Sequence, residues 1–151
     1  MLNIGGVSLQ NPWIMAPMAG ITNLPFRLMV KRLGAGLVTT EMVSAIGLGQ
    51  GHGKTRRYLQ SVDEEKPLSV QLFGSGPESM ARAAQVAVEA GADLIDINMG
   101  CPVRKVAKTG SGAALLDHPG RVASLVKAVR MVCPVPLPAK IRAGWCPERP
   151  A

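Results

Sequence analysis

The feature that most restricts how this sequence can fold is an alternation of two hydrophobic periods. Short runs rich in apolar and β-branched residues recur along the chain. Between them lie stretches whose apolar residues fall at helical spacing. Residues 14–19, 36–40, 67–73, 92–98 and 135–142 read as five strands. Residues 24–33 read as a helix, with Leu24, Leu28, Met29 and Leu33 on one face, Thr22 as a candidate N-cap and Gly34 as the stop. Residues 77–90 read as another, opened by Pro77 and closed by Gly91, and residues 111–117 and 119–131 as two more. Residues 42–60 mix helical spacing with a glycine- and base-rich loop, and the pattern does not decide between them.

Strands separated by helices indicate a parallel α/β architecture. Two versions fit: an open, doubly wound sheet and a (β/α)8 TIM barrel. The first strand leads into Ala19-Gly-Ile-Thr22, which lacks the glycine spacing of a dinucleotide fold. Polar residues collect where strands end: Glu41, Gln71, Asn98, Cys101, Lys140 and Arg142. A barrel would bring those ends to one mouth, where barrel enzymes place their chemistry. A whole barrel takes about 250 residues, and 151 residues hold the first five β/α units. The barrel reading therefore makes residues 1–151 the N-terminal part of one truncated barrel domain.

Composition narrows the function classes. The chain is 47% hydrophobic and 18% charged, which suffices for a core and excludes global disorder. No apolar run reaches the length of a membrane span, and Met1 to Pro12 carries no signal-peptide pattern, so a cytoplasmic protein is expected. Cys101, Cys133 and Cys146 form no C-x-x-C pair, so neither a metal site nor a disulfide framework is expected. The net charge of +7 suits a polyanionic partner such as RNA.

Two glycine-rich segments mimic phosphate loops. Gly47-Leu-Gly-Gln-Gly-His-Gly-Lys-Thr55 has Leu48 where a P-loop needs glycine, and reads as a flexible basic loop running into Arg56 and Arg57. Gly110-Ser-Gly112 follows a basic loop rather than a strand and reads as a helix entry.

The most specific segment is Asp96-Ile-Asn-Met-Gly-Cys-Pro-Val-Arg-Lys-Val106. Together with Gly112-Ala-Ala-Leu-Leu116 it closely resembles the active-site segment of the tRNA-dihydrouridine synthases, in the bacterial branch that reads Asn-Met-Gly-Cys-Pro at the cysteine. Met15-Ala-Pro-Met-Ala-Gly-Ile-Thr22 with Pro25-Phe-Arg27 resembles the opening motif of that family. Ser69-Val-Gln-Leu-Phe-Gly74 and Lys140-Ile-Arg-Ala-Gly-Trp145 resemble two further strands, in the same order. The resemblance covers essentially the whole chain. It implies FMN held in a (β/α)8 barrel, NADPH as reductant, and reduction of the C5=C6 bond of tRNA uridines. It places the later strands, the glycines for the FMN phosphate and a C-terminal helical tRNA-binding domain outside these residues.

The resemblance also assigns roles. Cys101 is expected to donate the proton to C5. A cysteine thiol ordinarily ionises near pH ~8.5, so at neutral pH it can carry that proton. Lys140 is expected near the N1–C2 carbonyl edge of the flavin, where a cation favours the reduced form. Gln71 can donate and accept, which suits the flavin pyrimidine edge. Pro17, Met18 and Ala19 would pack on the ring, and Asn98 would contact flavin or uracil. Arg104, Lys105 and Arg142, with Lys108 nearby, would meet tRNA phosphates, which position RNA without reading it. Cys133 and Cys146 match no family site. Two other readings stay open: a flavin barrel reducing a free pyrimidine, and an RNA-binding remnant without activity.

Overall fold

The structure, a computed structural model, describes residues 2–146 and 149–150. Its centre is β5 (Leu68–Phe73) paired in parallel with β6 (Leu94–Met99), with Gln71 opposite Asp96. β5 also pairs with β3 (Val38–Thr39) and β4 (Val43–Ser44), and β6 pairs with β7 (Ala139–Ile141). A parallel bridge from Ile14 to Leu37 places the first predicted strand beside β3. The parallel positions thus lie in chain order, as a curled half-barrel sheet.

Alternation along β5 and β6 decides what faces what. Leu68, Val70, Leu72, Ile95, Ile97 and Met99 point outward into one hydrophobic core. That core is closed by α4 (Pro77–Glu89) through Met80, Ala83, Ala84 and Ala87, and by α6 (Pro119–Val132) through Leu125 and Val129. The alanines of α4 hold the helix close to the sheet. Each fully buried leucine contributes roughly 1.5–3 kcal/mol. The alternate residues, among them Ser69, Gln71, Asp96 and Asn98, face the lumen.

Several elements depart from the sequence reading. The first strand joins the sheet only around Ile14 and Met15, whose N–H donates to the Leu37 carbonyl at 3.0 Å. Pro12 and Pro17 lack N–H groups and bound the stretch that can join a ladder. An unpredicted hairpin precedes it, β1 (Leu2–Ile4) with β2 (Val7–Leu9), and Gly5 at its turn has φ +57°. Leu9 from this hairpin packs with Leu37 and Leu94. The helix α1 spans Leu24–Arg32 and is capped by Asn23, whose Oδ1 accepts from the Phe26 N–H at 3.1 Å. Thr22, the predicted cap, is buried and bonds to Met18 instead.

The ambiguous stretch resolves into β4, α2 (Ala45–Gly49), α3 (Gly53–Arg56) and a 3-10 turn at Arg57–Leu59. The glycine-rich Gly47–Thr55 segment is therefore largely helical. A single turn, α5 (Arg104–Ala107), follows the cysteine loop, and Gly112–Asp117 is 3-10 rather than α-helical. The fifth strand is three exposed residues instead of eight. Prolines at 134, 136 and 138 cannot donate to the ladder. The carbonyls of Pro136 and Pro138 still accept from Ile95 and Ile97 at 3.0 Å. A short antiparallel pair follows, β8 (Gly144–Cys146) with β9 (Arg149–Pro150).

Candidate active site

A cleft of about 410 Å³ opens at the C-terminal ends of the parallel strands. Pro17 and Ala19 come to it from the loop after Ile14, Met42 from the segment between β3 and β4, and Gln71 from β5. Asn98 comes from β6, Cys101 from the loop beyond it, and Lys140 and Arg142 from β7 and its exit. Seven of the predicted residues therefore share one cleft. Met18 does not line it, and its backbone is tied down by Thr22. The Thr22 hydroxyl accepts from the Met18 N–H and donates to the Met18 carbonyl, both at 3.1 Å. Arg104 and Lys105 are exposed on α5, next to Val103, which lines the cleft.

Gln71 is 1% exposed, so its amide needs internal partners. Its Nε2 donates to Asp96 Oδ2 at 2.6 Å, and its Oε1 accepts from Asn98 Nδ2 at 2.8 Å. Asn98 Oδ1 accepts in turn from the N–H groups of Gly100 at 3.2 Å and Cys101 at 3.0 Å. The cysteine loop is held from its other side as well. The Ala113 N–H donates to the Cys101 carbonyl at 3.0 Å, and a Cβ on Gly112 (φ +63°) would lie 2.6 Å from that oxygen. The Gly110-Ser-Gly112 segment is thus shaped by close approach to Cys101. Cys101 is partly exposed.

Arg142 Nε donates to the Gly100 carbonyl, so this predicted phosphate ligand also braces the cysteine loop. Lys140 is exposed, and its backbone N–H and charge both face Asp96. Burial pushes the Asp96 carboxyl up to about 6, against the opposing pull of the Gln71 hydrogen bond and Lys140.

Three contributors escaped the sequence reading. Asp96 is the first, and its alternation with Asn98 was the signal for it, since residues two apart on a strand share a face. Glu65 is the second. It is fully buried and takes Arg27 in a fork: Nε to Oε2 at 2.6 Å and Nη2 to Oε1 at 3.0 Å. Arg27 Nη1 then donates to the Thr22 carbonyl at 3.0 Å, which anchors the loop that supplies Pro17 and Ala19. Glu41, noted only as a strand-end residue, accepts from the Gly20 N–H of the same loop.

Cys133 is buried at the end of α6, and burial raises its thiol pKa. The side chain of Cys146 lies outside the described residues. No cluster of three or more His, Cys, Asp or Glu that could hold a metal occurs among the described residues. No described helix is long and apolar enough to cross a membrane.

The chain matches the family described as Dihydrouridine synthase over residues 14–150. It is 46% identical over 147 residues to tRNA-dihydrouridine synthase B of Klebsiella pneumoniae, covering 97% of this chain and 46% of that protein. It is 45% identical to the protein of the same name from Escherichia coli K12, with the same coverage. For the Pseudomonas aeruginosa protein of that name the identity is 46% over 145 residues, or 96% of this chain and 44% of the relative. The chain therefore spans slightly less than half the length of these relatives.

Proposed function

The chain belongs to the dihydrouridine synthase family, and on that premise we propose that it carries the flavin-facing, proton-donating side of a tRNA-dihydrouridine synthase barrel. The half-barrel sheet corresponds in this reading to the first five units of a (β/α)8 barrel. The observation that carries the reading is the convergence of Gln71, Asn98, Cys101 and Lys140 on one cleft.

The donor set suits the ring of FMN. After its internal bonds Gln71 keeps one N–H and one carbonyl lone pair, matching the mixed edge of a flavin pyrimidine. Lys140 adds a cation at the same cleft, which favours negative charge on a reduced ring. Pro17 and Ala19 give a low wall against which a flat ring can lie. FMN, when bound, supplies the hydride for uracil C6, and NADPH renews it. Cys101 gives its proton to C5 from the opposite side and recovers one from solvent. Asn98 holds the cysteine backbone, and its second Nδ2 hydrogen, which rests on Met42 Sδ at 3.8 Å, can meet flavin or uracil by leaving that weak acceptor. Arg104, Lys105 and Arg142 hold tRNA phosphates at the rim while the target nucleotide leaves its stack. A tRNA substrate puts this work in the cytoplasm.

The test is incubation of the protein with unmodified tRNA, FMN and NADPH, followed by mass spectrometry of the nucleosides. Dihydrouridine, with two added hydrogens, is the expected product. Reduction of free uracil or orotate with tRNA untouched would contradict the reading.

A further inference from the structure

We propose that Asp96 is a positioning residue: it sets the direction of the hydrogen-bond chain Asp96–Gln71–Asn98–Cys101, and through it the setting of the Cys101 loop. The importance of that loop rests on the function proposed above; the direction of the chain does not. Two primary amides form the middle of this chain. Each can turn over and exchange its donor and acceptor ends, so neither defines a direction alone. The ends do. At one end the N–H groups of Gly100 and Cys101 can only donate, and both point at Asn98 Oδ1. This leaves Asn98 Nδ2 to donate to Gln71 Oε1, and Gln71 Nε2 to donate onward. At the other end a carboxylate can only accept, and Asp96 stands opposite Gln71 in the strand register to receive that N–H at 2.6 Å.

With both ends fixed, one arrangement satisfies every contact. Without an acceptor at position 96, the buried Gln71 amino group loses its partner, and a turned Gln71 comes to compete with the arrangement the loop N–H groups favour. A turned Gln71 sets its amino group against that of Asn98, and Asn98 can answer only by turning its own oxygen away from the Cys101 N–H. Asp96 thus acts on Cys101 without touching it, across two side chains that are 1% and 8% exposed. It also fixes which atoms Gln71 offers to the cleft, since only one N–H is left over.

The experiment uses the full chain and the alkylation rate of each cysteine, followed by peptide mass spectrometry under native conditions. Cys101 is partly exposed and reports its loop. Cys133 is 1% exposed and reports general opening of the fold. Asp96→Leu should speed Cys101 alkylation about fivefold, the equivalent of one lost hydrogen bond, with Cys133 still protected. Asp96→Asn has one acceptor oxygen for two donors, the Gln71 amide and the Lys140 backbone N–H, and should react at a rate between those of the parent and Asp96→Leu. Gln71→Met should give the same acceleration as Asp96→Leu, and the double variant no more than either, because all three cut one chain. If Asp96→Leu fails to fold, Asp96→Ala takes its place in each comparison.

An unchanged Cys101 rate in Asp96→Leu would overturn the proposal. So would equal acceleration at Cys133, a faster Cys101 rate in Asp96→Asn than in Asp96→Leu, or additive effects in the double variant. The readout needs neither flavin nor RNA. Its failure therefore leaves the proposed activity standing, and absence of dihydrouridine leaves this result standing.

Discussion

Toward the helices, β5 and β6 present Leu68, Val70, Leu72, Ile95, Ile97 and Met99; toward the lumen the same strands present Ser69, Gln71, Asp96 and Asn98. The backbone is shared, and the two faces obey different rules. The outer face is held by area and packing, which have no direction and sum over many contacts. The inner face is held by hydrogen bonds with a donor and an acceptor at every step, so its geometry is specified more sharply than its stability. Burying that polar set gains little net free energy, because each group gives up water for its partner. It is nonetheless well satisfied: among the described residues, the Ser61 hydroxyl oxygen is the one buried side-chain polar atom recorded without a partner. Stability therefore comes mainly from the outer face, and the candidate site is built on the inner one.

Substitution of one face at a time should break this division most visibly. Leu72 is fully buried against the helices. Leu72→Ala should cost about 2–5 kcal/mol in denaturant unfolding, while leaving Cys101 alkylation under native conditions unchanged. A loss below about 1 kcal/mol would mean that the outer face is not the main source of stability.

Lys140 gives the reverse case. Its side chain is exposed at the cleft, so Lys140→Met should leave the unfolding midpoint in place. The two-electron potential of bound flavin should fall by about 30 mV, equivalent to ~1.4 kcal/mol, in a spectroelectrochemical titration. An unaltered potential would remove Lys140 from the flavin edge.

A further effect should follow pH. The Asp96 carboxyl stands at about 6 in the folded chain against an ordinary 3.8, because burial penalises its charged form. The folded state therefore binds more protons than the unfolded one between those values, and this residue's contribution to stability rises as pH falls through 6. Asp96→Asn removes that dependence. The stability difference between Asp96→Asn and the parent chain should be largest at neutral pH and shrink toward pH 4, measured by unfolding across the range. A constant difference would show that Asp96 does not titrate there.

The smallest change is expected at the rim. tRNA affinity should fall with salt as counterions are released, and the Arg104→Ala, Lys105→Ala double variant should reduce the slope of log K against log salt by about 1–2. An unaltered slope would turn α5 away from the RNA.

The two faces also differ in how much of them could be read from sequence. β5 and β6 were legible as short runs, bounded by glycine, in which apolar and polar residues largely alternate, and α4 and α6 because their apolar residues repeat at helical spacing. The outer strands were legible in place but not in extent, because their pairing depends on neighbours: prolines cut the strand at Ile14 to a bridge, and β7 borrows the carbonyls of Pro136 and Pro138. Cys101, Gln71, Asn98 and Lys140 were legible through their motifs, and all four line the cleft. Asp96 and Glu65 were not, since the meaning of each lies in a partner distant in sequence. Gln71 is 25 residues from Asp96, and Arg27 is 38 from Glu65. A lone acid on a strand or in a loop carries no sign of such a partner. The helix cap at Asn23 instead of Thr22 shows the same limit at short range: both residues can cap, and only tertiary burial of Thr22 decides between them.

The division between faces meets its most direct test at Cys101, through two measurements on the Cys101→Ala variant: thermal unfolding, and dihydrouridine formed in unmodified tRNA with FMN and NADPH. The thiol is partly exposed and contributes to the cleft rather than to the core. The unfolding midpoint should therefore stay where it is, while dihydrouridine formation falls by about 100- to 10,000-fold, the range for loss of a general acid. Dihydrouridine formed at the parent rate, or a loss of stability matching any loss of product, would contradict the account.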